Sequence, residues 1–208
     1  YTKQFHLDGE TGEIVPKDQL DQKDMPRWCH MCAQVKPPRA HHCSTCQRCI
    51  LKMDHHCPWM GTCIGFRNHC HFVRFLVYVV ICTFLSLIAG CWWMYEEYRE
   101  MGDTDEMITQ LASDYKLYMM VFAVVASLGV VVFVGALAGY HINGISTNKT
   151  TIEAMEEDRL CRQLTREQLQ SYRFPYTLDS TFSNAKQTMG PSWWLWPIPW
   201  FICISHGQ

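Results

Sequence analysis

Residues Cys29 to Cys63 read CHMCAQVKPPRAHHCSTCQRCILKMDHHCPWMGTC. Within them Cys29-x2-Cys32-x9-His42-x6-Cys49 forms one four-ligand set. Fourteen residues on, the set recurs as Cys43-x2-Cys46-x9-His56-x6-Cys63, an internal duplication with interleaved sites. Three thiolates and one imidazole make a closed tetrahedral structural combination, and soft donors favour zinc over magnesium or calcium. Spacing leaves one choice open. His41 and His55 are also fourteen apart, so either His41 and His55 or His42 and His56 complete the sets. In both cases Cys57, the image of Cys43, is left over, with one histidine and Asp54, in the tetrapeptide Asp54-His55-His56-Cys57. Thiol, imidazole and carboxylate together have the composition of an activated nucleophile. The competing reading has Asp54 capping a turn and Cys57 as a spare ligand.

The rest of the 208 residues sets the context for this stretch. Twelve Cys and ten His stand out, eight of the Cys falling between Cys29 and Cys70. A formal net charge of −2 advertises no basic surface, so nucleic acid is not an expected partner. No cleavable signal peptide is read at the start, so metal is expected of these thiols rather than a secreted disulfide framework. Residues 1–28 are polar and read as a cytosolic arm. Residues 29–71 show no helical or strand period and would need metal to fold.

Two apolar runs follow, Phe75 to Tyr95 and Leu117 to Ile142, the first uncharged and the second uncharged unless His141 is protonated, each long enough to cross a bilayer as a helix. They place membrane helices over 72–95 and 117–142. The intervening loop 96–116 has only Arg99 and Lys116 against seven acids, whereas Arg67, Arg74, Lys149, Arg159, Arg162 and Arg166 lie on the outer flanks. The positive-inside rule puts the Cys-rich region and the tail 143–208 in the cytosol and the loop in a lumen. The expected fold class is therefore membrane α-helical with a cytosolic, loop-rich, two-zinc domain. In the tail, Glu153 to Leu169 reads as one charged helix, and Trp193 to Ile204 as a segment too short to span, either interfacial or a packed hydrophobic tail. Cys70, Cys82, Cys91, Cys161 and Cys203 read as buried apolar residues.

The motifs CHMC, HHCSTCQRC, MDHHCPW and CIGFRNH, with Thr150-Thr151-Ile152-Glu153 after the second run and Asn184 before MGP, resemble the DHHC-type protein S-acyltransferases, or palmitoyltransferases. The resemblance implies that Cys57 is the acylated nucleophile, His55 its general base and Asp54 the partner of His55. It implies that His42 and His56 are the zinc ligands. It puts Thr151 near Asp54, with Thr150, Glu153 and Asn184 in supporting roles. It implies a long-chain acyl-CoA such as palmitoyl-CoA as donor, and membrane-associated proteins with cytosolic cysteines as acceptors at the lipid bilayer. The family usually has four membrane helices, so two would precede this stretch, and its Asp-Pro-Gly motif is missing here. The overall pattern resembles the fungal endoplasmic-reticulum-resident branch, with Golgi or another endomembrane as the alternative location.

From that chemistry, CoA phosphates are expected to meet Lys36, Arg39, Lys52 and Arg67. An acyl chain hanging from Cys57 is expected to end near Cys82 or Ser86, with plain helix packing at Gly90, Gly135 and Gly139 as the competing account. Two other classes share parts of the pattern. A RING-like ubiquitin ligase or zinc interaction module would close with another Cys-x2-Cys pair, and none follows Cys63. A transporter would carry intramembrane charges, which these runs lack.

Overall fold

The computed structural model describes residues 5–7, 14–16, 27–100 and 115–198. Most of the arm, residues 101–114 of the loop expected to be luminal, and the tail from 199 on, with Cys203, lie outside the described residues.

Among the described residues four antiparallel hairpins precede the helices. Strands β1 (Phe5–Leu7) and β2 (Ile14–Pro16) pair in the arm. The Cys-rich region is three further hairpins: β3 (Trp28–Cys29) with β4 (Gln34–Val35), β5 (His41–Cys43) with β6 (Arg48–Ile50), and β7 (His55–Cys57) with β8 (Thr62–Ile64). Strands of two or three residues are too short for a period of two to register in sequence. Ala33, Gln47 and Gly61, again fourteen apart, all adopt positive φ at the turns. The duplication is therefore a threefold repeat of one hairpin. Gly65 closes the third unit, where a Cβ would stand 2.8 Å from the Leu51 carbonyl oxygen. Asn68 joins β8 to the next helix by donating to the Cys63 carbonyl and accepting from the Gly65 N–H.

Helices α1 (His69–Glu100) and α2 (Tyr115–Ser146) have 32 residues each and are apolar and long enough to cross a membrane. Both extend beyond the apolar runs, and α1 begins inside the region read as helix-free. They pack antiparallel. Leu76 and Ala138 share a cluster at one end, and Gly90 meets Val124 toward the other, where a Cβ would fall 2.8 Å from Val124 Cγ2. Gly135 and Gly139 have open space around them, so the close approach falls to Gly90 instead. Large side chains such as Phe84, Ile88, Phe122 and Phe133 point outward from the pair, as lipid or neighbouring helices require. Cys82 and Cys91 are exposed there and Cys161 is half-buried, whereas Cys70 is buried.

Helix α2 stops at a left-handed Asn148 (φ 54°), with Lys149 N–H bonded to the Gly144 carbonyl and Asn148 N–H to that of Ile145. This Schellman ending lets the chain reverse at once. Thr150 then caps helix α3 (Thr151–Cys161) in a reciprocal capping box with Glu153. The single helix expected over 153–169 is two, because Thr165 caps a separate α4 (Arg166–Ser171). Helix α5 (Thr181–Met189) packs on the start of α1 and the end of α2 through Met189, Val73 and Ile145. Trp193 and Trp194 are exposed.

Candidate active site and metal centres

Hairpin register decides which histidines face which centre. In β5, His42 lies across from Cys49 and His41 across from Ile50; in β7, His56 lies across from Cys63 and His55 across from Ile64. Successive strand residues point to opposite sides, so His42 and His56 meet the sulfurs and His41 and His55 cannot. Cys29, Cys32, His42 and Cys49 form one group with all donor atoms within 4.8 Å of one another; Cys43, Cys46, His56 and Cys63 form a second. The Cys49–Cys32 and Cys63–Cys46 sulfurs are 3.8 and 3.5 Å apart. The His56 Nδ1 lies 3.5 to 3.7 Å from the sulfurs of Cys43, Cys46 and Cys63. A tetrahedron with bonds of about 2.3 Å has edges of about 3.8 Å, so both groups could hold a metal ion. Burial and bonding to neighbouring sulfurs push the Cys63 thiol up to about 12 and the Cys49 thiol up to about 11. Thiolates packed this closely need a cation among them.

The third hairpin repeats the geometry without the full set. Cys57 stands where Cys43 stands one unit earlier, but Met60 replaces the partner Cys46. Cys57 is buried in a cluster with Ile64, Phe72, Leu76 and Ala138, with Val80 and Val134 beside it. His55, two residues before Cys57, shares its strand face, and the Phe72 ring contacts His55 at 5.2 Å.

Asp54 is 1% exposed and accepts three hydrogen bonds. His55 Nδ1 is 2.7 Å from Oδ2, the Thr151 N–H donates to Oδ1 at 2.8 Å, and the Thr151 hydroxyl donates to Oδ2 at 2.9 Å. Burial alone would raise this carboxyl, but the bonds from His55 and Thr151 overcome it and hold it down at about 2. The N-terminus of α3 supplies a favourable dipole at the same point. With Nδ1 engaged by Asp54, the other ring nitrogen of His55 is left for a thiol.

The family model described as DHHC palmitoyltransferase matches residues 22–158. The chain belongs to this family. Among curated relatives, Palmitoyltransferase PFA3 of Saccharomyces cerevisiae is 38% identical over 183 residues, covering 83% of this chain and 51% of the relative. Palmitoyltransferase PFA3 of Candida glabrata is 32% identical over 195 residues, covering 90% of this chain and 56% of the relative. That of Gibberella zeae is 40% identical over 134 residues, covering 64% and 23%. The chain thus spans about half the length, or less, of these relatives.

Glu153, besides closing the capping box, forms a buried pair with Arg39, whose Nε and Nη2 reach its two carboxylate oxygens at 2.6 and 2.7 Å. Lys52 Nζ donates to Asn148 Oδ1 at 2.9 Å and to the Thr188 hydroxyl. Arg39 and Lys52 are thus turned into the junction and engaged there, unlike the surface phosphate contacts read from sequence, while Arg67 stays exposed. Asn184 is buried and binds the Leu178 N–H and the Ser146 carbonyl, fastening α5 to the end of α2.

Cys82 and Ser86 are both exposed and absent from the cluster around Cys57. The apolar track from Cys57 runs instead over Phe72, Leu76 and Val80, on another face of α1. Sequence reasoning gave no role to Asn148, which joins Arg39, Lys52, Tyr176 and Gln187. It gave none to His141 either. An ionisable residue inside an apolar run was the available signal.

Proposed function

We propose that this chain is the catalytic part of a protein S-palmitoyltransferase that moves a long-chain acyl group from acyl-CoA to cysteine thiols of membrane-associated proteins. The observation that carries the reading is the leftover cysteine. Cys57 occupies a ligand position in a hairpin without a complete ligand set, on the strand face it shares with an Asp54-oriented His55.

In the first half-reaction His55 takes the Cys57 thiol proton and the thiolate attacks the thioester carbonyl. The carbon–sulfur bond to CoA breaks, and the departing CoA thiolate recovers the proton from His55. In the second, an incoming protein thiol gives its proton to His55 and attacks the acyl-enzyme. Cys57 leaves as thiolate and is reprotonated. Thioester is exchanged for thioester, so no energy source is needed and the kinetics are ping-pong. Asp54 holds His55 in one tautomer and steadies it when charged. The two Cys3His groups would hold zinc, which supplies a closed structural shell that fixes the hairpins. The acyl chain would lie on Phe72, Leu76 and Val80, entering the bilayer alongside α1.

The topology favoured is a cytosolic site with the 96–116 loop luminal, in the endoplasmic reticulum or another endomembrane. The decisive experiment incubates the chain with labelled palmitoyl-CoA. Hydroxylamine-sensitive label on the parent and none on Cys57→Ser supports the reading; label undiminished in Cys57→Ser overturns it.

A further inference from the structure

His141 lies in the last two turns of α2, a mostly apolar helix, and is only 4% exposed. Its Nδ1 stands 3.9 Å from Asp54 Oδ2, the oxygen that also binds His55. Its ring packs against His55 at 5.6 Å between centroids and against Phe72 at 5.0 Å. His55, Phe72 and His141 thus form a trio of mutually packed rings. One turn earlier on the same face, Ala138 joins the cluster that contains Cys57.

Behind this group is a cavity of about 200 Å³ whose lining includes Asp54, His69, His141, Thr147, Thr150 and Thr151. His69 is 3% exposed, contacts the His141 ring edge-on at 5.7 Å, and has no hydrogen-bond partner for either ring nitrogen among the described residues. Buried imidazoles rarely go unsatisfied, and a polar cavity of this size admits water. Purely apolar packing of α1 on α2 would need neither histidine.

We propose that His141 is a positioning residue of the acyl-transfer site: it seats the His55 ring and shares the Asp54 carboxylate with it, through water in the adjoining cavity. The inference rests on the acyltransferase reading above. Its consequence is kinetic. Acting through His55 and Asp54, His141 works on the maximal rate of thiol attack and leaves acyl-CoA affinity alone.

The test compares His141→Asn with His141→Leu in the full chain. The two side chains have nearly the same shape, and only Asn offers a polar atom near the place of Nδ1. Formation of the Cys57 acyl-enzyme from palmitoyl-CoA is followed in single turnover, with metal content and thermal unfolding measured on each variant. His141→Leu is expected to lower the maximal rate about tenfold at unchanged half-saturating palmitoyl-CoA, and His141→Asn to stay within about threefold of the parent. Equal rates for the two variants would overturn the proposal, as would a loss expressed only in half-saturation. If Leu fails to fold, His141→Phe, which restores a ring without nitrogen, takes its place against Asn under the same criteria. A parent that forms no acyl-enzyme refutes the acyltransferase reading instead, so the two failures are distinct.

Discussion

Thr151 binds Asp54 twice across 97 residues of sequence, its backbone N–H to one carboxylate oxygen and its hydroxyl to the other. The first residue of a capped helix thereby fixes the carboxylate that orients His55. Thr151→Val keeps the shape and the N–H but removes one charge-assisted bond. Acyl-enzyme formation should fall about tenfold, with metal content unchanged. Rates measured at saturating palmitoyl-CoA check this.

Arg39 and Glu153 are a buried pair, with side chains 11% and 7% exposed. Arg39→Met leaves the Glu153 carboxylate uncompensated and should cost about 3 kcal/mol. Adding Glu153→Gln should return part of that loss, so the double variant should be more stable than the two separate losses predict. Thermal unfolding in detergent reads both effects.

Metal analysis should find two zinc ions per chain. Cys29→Ala and Cys43→Ala should each lose zinc and stability, because ligand geometry and hairpin folding are coupled. Cys57→Ser should retain both ions. Release of zinc from Cys57→Ser would mean that Cys57 is a ligand and that the division between nucleophile and ligands is wrong.

Chain-length preference should respond to Val80 rather than Cys82. Val80 flanks the apolar cluster around Cys57, whereas Cys82 is exposed on another face of α1. Val80→Phe should favour shorter acyl-CoAs over longer ones in competition, and Cys82→Phe should leave the profile unchanged.

Burial first, and the Arg39 charge second, lower the Lys52 ammonium from 10.5 to about 8. Between those values the unfolded chain binds a proton that the folded chain has released. Stability from this residue therefore rises as pH increases from about 8 to about 10.5. Lys52→Met should lack that increment. The difference between parent and variant stability across this window checks the sign, since all other groups cancel to first order.

What sequence alone determined was local. Fourteen-residue spacing exposed the two ligand sets because a hairpin of fixed length returns its donors at fixed intervals. The two apolar runs were legible because an uncharged stretch of that length has few other uses. Whether His41 or His42 meets the sulfurs already needed strand register, since both fit the spacing. The family resemblance already implied Thr151 near Asp54, but its two bonds, and the meeting of Glu153 with Arg39, Asn148 with Lys52 and His141 with His55, came only from tertiary structure. The residues in each of these pairs lie some 86 to 114 positions apart. No periodicity links them, and which side chains meet is decided by how α1 and α2 pack and by the abrupt reversal at Asn148. The same packing put Cys82 and Ser86 outside, because helix face depends on where the partner helix lies and not on depth along the axis.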